Sequence, residues 1–195
     1  PHLASLIVIM TFSSLFVIPY TSLLPAVARD LFNGDETTFS WFESAAGLGA
    51  MIGAIRMASL KTGENLRYRV MFSALTMGIS ILLLAYAHYL PSAIFFTVAV
   101  SFAMMMQNSS INTYIQTHSM SSYRARIMSY YVMSFQGIFP VGSLITGALA
   151  EAVGLKNALY IMGSIGVIIS LGFYIYLRTH LHRRLFKVDY SRWKK

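Results

Sequence analysis

Cysteine is absent from the 195 residues, which excludes a disulfide framework and any thiolate metal site and leaves redox chemistry silent on compartment. Charge is scarce as well. Asp, Glu, Lys and Arg together make up 11% of the chain, where soluble domains carry roughly 25%. Acids are the scarcer sign, 7 against 15 basic residues for a net charge of +8. That balance alone would fit a nucleic-acid partner, but the placement of the basic residues, given below, points to anionic lipid and not to nucleic acid. Charged side chains are missing altogether from residues 1–28, 70–123, 127–150 and 157–177. A hydrocarbon core about 30 Å thick takes roughly 20 helical residues to cross, so these gaps exclude a water-soluble domain.

The motifs of common enzyme classes are lacking too. There is no glycine-rich phosphate loop and no HExxH metalloprotease helix. No paired intramembrane acids and no nucleophile elbow are present, so the chain reads as a non-enzyme without a cofactor. His180 and His182 stand two apart, a spacing that does not bring them together on a helix face, and no metal site is expected. The first apolar run is too long for a cleavable leader, and no basic stretch precedes it. The chain starts at Pro1 rather than Met, so it is expected to be a fragment or a processed piece.

What is present is apolar sequence in long blocks. Hydrophobic residues make up 56%, and the mean hydropathy is +0.59. The blocks predict an all-α polytopic membrane bundle of six helices, placed at about Leu3–Ala28, Thr37–Ile55, Val70–Ala87, Ser92–Gln116, Ile127–Ala150 and Asn157–Leu177. The run 70–123 is twice a bilayer thickness and has to be divided. His88-Tyr89-Leu90-Pro91 is the natural turn, because proline opens a helix well and cannot continue one. The runs lack the in/out alternation of barrel strands. The bundle therefore spans 1–177, followed by a basic tail over 178–195.

With six crossings both ends lie on one side, together with the segments near 56–69 and 117–126. That side holds Arg56, Lys61, Arg67, Arg69, Arg124, Arg126, Arg178, Arg183, Arg184, Lys187, Arg192, Lys194 and Lys195, which is 13 of the 15 basic residues. Only Arg29 and Lys156 fall on the other. Basic loops stay in the cytoplasm, so both ends are expected to be cytoplasmic. The tail interleaves its basic residues with Leu181, Leu185, Phe186 and Trp193. It reads either as a surface anchor on anionic lipid or as a solvated, disordered tail.

Polar residues inside spans are costly and mark candidate sites. Glu43 is the one acid inside an expected span. It is read either as a proton-exchanging group or, being about a turn inside the outer boundary beside Trp41, as a vestibule carboxylate. Span four carries Gln107, Asn108, Asn112 and Gln116, and the last three recur every fourth residue along one face. Such a stripe offers donors and acceptors without fixed charge. It fits a polar pathway, and interhelical hydrogen bonding is the other reading. Tyr20 and Gln136 complete the pathway candidates. Ala45, Gly49 and Gly53 form a small-residue seam on span two, and Pro19, Gly137, Pro140 and Gly142 mark places where spans one and five can bend.

Several of these stretches carry a family likeness: Leu23-Leu24-Pro25-Ala26-Val27-Ala28-Arg29-Asp30-Leu31, Gly47 through Gly53, and Asn112 and Gln116 through Tyr123-Arg124-Ala125-Arg126-Ile127-Met128-Ser129. Pro140-Val141-Gly142-Ser143 and Gly147-Ala148-Leu149-Ala150-Glu151 continue it. Up to about Leu177 the chain resembles the C-terminal six-helix half of a major facilitator superfamily transporter. Its nearest likeness is to the bacterial exporter branch of enterobactin-exporter-like proteins and transmembrane secretion effectors. The resemblance implies a twelve-helix protein of the bacterial inner membrane that exports a small amphipathic molecule, such as a drug or siderophore, by alternating access and usually at the expense of a proton gradient. It places Arg124 and Arg126 in a cytoplasmic gating loop where the family often has Arg-Gly-Arg and this chain has Ala125. It also implies a partner, the N-terminal six-helix half, which bears the family's better-known gating motif and its usual coupling acids. Two further readings stay open at this point: the membrane domain of an ATP-driven transporter, against which the short cytoplasmic loops speak, and a non-transport membrane scaffold.

Overall fold

A computed structural model describes residues 2–60 and 66–189. Pro1, residues 61–65 with Lys61, and tail residues 190–195 with Arg192, Trp193, Lys194 and Lys195 lie outside the described residues, as do the side chains of 180–189, among them Arg183, Arg184 and Lys187.

The first crossing is built in three pieces. Helix α1 runs His2–Phe16, α2 runs Tyr20–Ala26, and a π-helical turn covers Val27–Leu31. Pro19 has no N–H to give the carbonyl one turn earlier. The Ser13 carbonyl takes both the Val17 and Ile18 amides, at 2.9 and 2.8 Å, and the helix restarts past the proline. The turn after crossing one closes through Gly34 N–H on the Ala28 carbonyl at 2.9 Å, with Asn33 at φ 48°. Asp35 then caps α3 (Glu36–Ala58), accepting the Thr38 amide at 3.0 Å. This contact from the Thr38 backbone holds its carboxyl below the usual carboxylate range.

Helix α4 spans Leu66–Tyr86 and α5 spans Leu90–His118, so the chain turns at the His88–Pro91 break expected from the proline. Crossing five is again composite: α6 (Ser121–Val132), a π-helical turn at Met133–Gly137, and α7 (Phe139–Val153). It begins six residues before the expected Ile127, because Ser121–Arg126, although polar, lies in the same helix. Gly154, at φ 85°, is the whole turn into α8 (Leu155–Asp189). The backbone of α8 runs well past Leu177, where hydropathy had placed its end.

Five of these units are long and apolar enough to cross a bilayer, among them Leu3–Leu31, Ser121–Val153 and Leu155–Thr179. The remaining helix, α3, has 23 residues, about 34 Å at 1.5 Å per residue. It has the length but not the hydropathy, because Thr37, Thr38, Ser40, Glu43, Ser44 and Arg56 dilute it. The described residues thus form a helical membrane bundle in which α3 falls short of the hydropathy of the other five units.

Close backbone approach sets the packing. The Ala45–Gly49–Gly53 seam of α3 lies on α5: a Cβ at Gly49 would collide with the Val98 carbonyl, and one at Gly53 would sit 2.9 Å from the Phe102 carbonyl. Behind them α4 and α8 cross at glycine, where a Cβ at Gly78 would stand 2.7 Å from the Val167 nitrogen and one at Gly166 3.0 Å from Gly78 Cα. Without a hydrophobic driving force between helices in lipid, such contacts supply the association. Leu6, Met10, Leu24, Met77, Ile81, Leu84, Ile111, Ile115, Leu159 and Met162 fill the centre and are fully buried. Among these five apolar units α4 is the most enclosed and crossing five the least.

Candidate substrate-pathway layer

At mid-height, crossings one, four and five are tied by neutral polar groups. Gln107 on α5 donates through Nε2 to Ser13 Oγ on α1 at 3.0 Å. Ser14 Oγ donates to the Phe135 carbonyl in the π-helical turn of crossing five at 3.0 Å. The Tyr131 hydroxyl donates to the Asn108 carbonyl at 3.3 Å. Counting at 1.5 Å per residue, Ser13, Gln107 and Tyr131 each lie about 15–17 Å from the helix end nearest the chain's N-terminal residues. They therefore form one layer near the middle of a bilayer about 30 Å thick.

The layer sits where two crossings depart from regular α-helix. The Met133–Gly137 turn in crossing five meets crossing one at Ser14, and Gly142, one helix element further on in α7, seats against the Pro19 break. A Cβ there would be 2.6 Å from the Leu15 carbonyl, 2.7 Å from the Ser14 carbonyl and 2.7 Å from Pro19 Cγ. One turn outward, Ser22 and Ser143 hydroxyls meet at 2.9 Å, and Tyr20 and Ser101 hydroxyls meet at 3.1 Å. π-Helical turns shift the hydrogen-bond ladder by one residue and recur at functional positions.

Of the pathway residues expected from sequence, Tyr20 is fully enclosed and faces α5 through Ser101. Asn108 and Asn112 are half-buried and Gln116 is exposed along one edge of α5. The lower two pair with each other, Gln116 Nε2 donating to Asn112 Oδ1. Glu43 is exposed on α3, and Gln136 is exposed on the π-helical turn of crossing five. Among the described residues no hydrogen bond joins either of them to the amide edge. Arg124 and Arg126 are exposed in the first turns of α6, directly after the short Ser119–Met120 turn.

Ser13, Ser14, Ser101 and Tyr131 were not singled out from sequence. Small hydroxyls within an apolar span carry little signal of their own, because they can bond back to their own helix, as Thr97 does to the Ala93 carbonyl. Two acceptors of the layer, Gln107 Oε1 and Asn108 Oδ1, are buried with no hydrogen-bond partner among the described residues. An unsatisfied buried acceptor costs about 1–3 kcal/mol. The described ion pair, Arg29 to Asp30 at 2.7 Å, is at the far end of crossing one and leaves the layer itself without charge.

A bundle of apolar helices crossed at glycine, with a neutral polar layer at mid-depth and broken helices around it, defines a polytopic membrane protein of the transport-associated kind. The chain belongs to the transmembrane secretion effector family of the major facilitator superfamily, whose model it matches over residues 2–189. It is similar to the staphyloferrin A transporter of Staphylococcus aureus (strain NCTC 8325 / PS 47), 23% identical over 155 residues, which cover 80% of this chain and 38% of that protein. It is also similar to the multidrug efflux pump Tap of Mycolicibacterium fortuitum, 23% identical over 121 residues covering 62% of this chain and 30% of the pump. The chain thus matches between three tenths and two fifths of the length of these curated relatives.

Proposed function

We propose that this chain is the C-terminal half of a secondary active transporter that exports a small amphipathic molecule by alternating access, coupled to protons. The observation that carries this reading is the uncharged polar layer, held between two helices that break at the same depth. A layer without fixed charge lets an amphipathic solute pass without stripping an ion of its water. Breaks at Pro19 and Met133–Gly137 supply the bending points that a rocking half needs. The exposed, mixed faces of α3, α5 and crossing five, bearing Glu43, Gln116 and Gln136, are where an N-terminal six-helix half would close a cavity. The relatives named for a siderophore and for multidrug efflux point to a drug or siderophore as the cargo.

In this reading the protein lies in the bacterial inner membrane with both ends of the segment in the cytoplasm, and Arg124 and Arg126 work at the cytoplasmic gate. Residues 178–195 form a basic tail on the inner surface. Glu43 acts as a vestibule carboxylate, and the coupling acid belongs to the other half.

The test is efflux from cells or proteoliposomes containing the full-length protein. Export of an amphipathic dye or a siderophore should fall at least about tenfold when the pH gradient is collapsed. Export indifferent to the gradient would remove proton coupling. Orientation is checked by labelling. This segment has no native cysteine, so in a full-length protein cleared of any other cysteine Ala125→Cys should react only from the cytoplasm and Asp35→Cys only from outside. Labelling of Ala125→Cys from outside would overturn the topology.

A further inference from the structure

Where the last turn of α5 meets the first turn of α4, an aromatic clasp stands outside the polar layer. The His118 imidazole lies flat on the Tyr114 ring, with centroids 4.1 Å apart and planes within 5°, as side chains one turn apart on a helix can. Arg67, the second residue of α4, sets its Cζ over the same ring, 5.8 Å from the centroid. Tyr114 is buried, so a group from each helix rests on one fixed ring. Hydrogen bonds also set the tautomer of His118. Thr117 gives its hydroxyl proton to the Thr113 carbonyl at 2.8 Å, so toward His118 Nδ1, also 2.8 Å away, its oxygen accepts. Nδ1 therefore carries the proton of the neutral ring, and Nε2 is left to take a second one. His118 is exposed, and water can deliver it.

Among the described side chains this end of the bundle holds cations and no carboxylate. Of the elements packed on α5, α3 brings Arg56, α4 brings Arg67 and Arg69, and α6 brings Arg124 and Arg126. The other titratable groups there are the phenols of Tyr68 and Tyr123, a group type that titrates near about 10 in water; α1 adds no described charged side chain. Arg69 Nη1 is buried without a hydrogen-bond partner among the described residues. A proton on Nε2 thus adds charge to an end that is already positive. Through the shared ring, Arg67 Cζ and the imidazole centre stand no more than about 10 Å apart, close to one Debye length at physiological salt, so the two cations feel each other. They also compete for one aromatic ring. His118 is the better placed, because it lies one turn along Tyr114's own helix and at that helix's C-terminus, where the dipole favours a cation. Arg67 is the group displaced, and with it goes the contact that α4 makes with the end of α5.

We propose that His118 is a pH-sensitive latch on the α4–α5 pair. Neutral, it shares Tyr114 with Arg67 and the two helix ends stay clasped; protonated, it takes the ring and releases α4. A free imidazole changes charge between about pH 5 and 8, the range through which a cell compartment acidifies. The latch lies two residues past Gln116, which donates to Asn112, so its state is felt at the end of the amide edge. That the acidity sensed is the cytoplasm's rests on the orientation given under Proposed function; the latch itself belongs to the fold.

The experiment is electron paramagnetic resonance on the purified full-length protein, cleared of other cysteines and spin-labelled at Tyr68→Cys on α4 and Met120→Cys just past α5, both exposed positions. Dipolar broadening of the spectrum weakens as the two labels separate. Between about pH 8 and about pH 5.5 the closely spaced population should fall at least about twofold. His118→Gln cannot take the proton, so its broadening should not change with pH. Arg67→Gln removes the group that is expelled, so the pH step should vanish there as well. Broadening indifferent to pH in the parent protein, or a step that survives either substitution, would overturn the proposal. Histidine ¹⁵N shifts of the same protein read the tautomer independently: His118 should carry its proton on Nδ1 at about pH 8, and a proton on Nε2 instead would overturn the latch too. The latch is read on purified protein without a gradient, so its failure and a failure of proton-coupled export are separate results.

Discussion

The hydroxyl of Ser14 hydrogen-bonds the carbonyl of Phe135 at 3.0 Å, joining the break in crossing one to the π-helical turn in crossing five. This bond links residues 121 positions apart at the two weakest points of two long helices. It gives the breaks a shared geometry and leaves each free to flex when it opens.

Ser14→Ala should therefore loosen the two crossings without unfolding the bundle. Interhelical hydrogen bonds in membranes are worth about 0.6–1 kcal/mol on average, so a small fall in Tm is expected, together with a larger change in export rate. Equal transport and an unchanged Tm would show that the bond is idle.

The glycines separate by environment. Gly49→Leu drives a side chain into the Val98 backbone, which cannot give way, and overpacking of this kind costs about 1–3 kcal/mol or more. Gly147 has nothing within 4 Å of a built Cβ and lies inside α7. Gly147→Ala should stabilise by about 0.5–1 kcal/mol through helix propensity. Thermal unfolding of the two variants in one detergent tests both signs.

Gln107 and Ser13 form a pair whose two halves fail differently. Ser13→Ala leaves the buried Gln107 Nε2 without its acceptor and should cost about 1–3 kcal/mol. Gln107→Met removes that donor and also the unpartnered Oε1, so its stability should stay near wild type or rise. Its export rate should drop all the same. If Gln107→Met is the more destabilised of the two, the pairing is assigned wrongly.

Asp35 makes one element of the fold acid-sensitive. Its carboxyl is held below its ordinary value of 3.8 by the Thr38 amide, so the folded pKa lies under the unfolded one. The α3 cap then contributes its full stability above pH 3.8 and loses it as pH falls through the lower, folded value. Asp35→Asn keeps an N-cap acceptor but does not titrate. The gap in Tm between wild type and Asp35→Asn should be constant at neutral pH and shift against wild type below that window. A gap that does not change with pH would mean the cap is unused.

Much of the architecture is legible in the sequence. Charge-free blocks mark the crossings because the bilayer penalises charge over a fixed length. Pro91 marks the α4–α5 turn, and the Ala45–Gly49–Gly53 spacing marks the seam that α5 fills. The layer is less legible. The amide edge of α5 is read correctly as far as Asn108, Asn112 and Gln116 sharing a face, but which side chain meets which depends on the neighbouring helices. Tyr20 turns inward to Ser101, and Gln116 turns back to Asn112. The π-helical turns leave no trace in residue type, since one extra residue in a turn is a packing outcome. The start of α6 at Ser121 and the length of α8 escape a hydropathy reading because polar helix outside the hydrocarbon looks like loop.

Gly154 has one further consequence. As the sole residue between α7 and α8, in a backbone region that other residues enter only with strain, it gives the two helices no slack. A tilt of α7, pivoting below on the Met133–Gly137 turn, has to be passed on to α8 as a lever passes on its stroke. The outer tip of the bundle is then a rigid elbow, and motion begun in the middle of the membrane would travel down the full length of the last helix to the opposite surface.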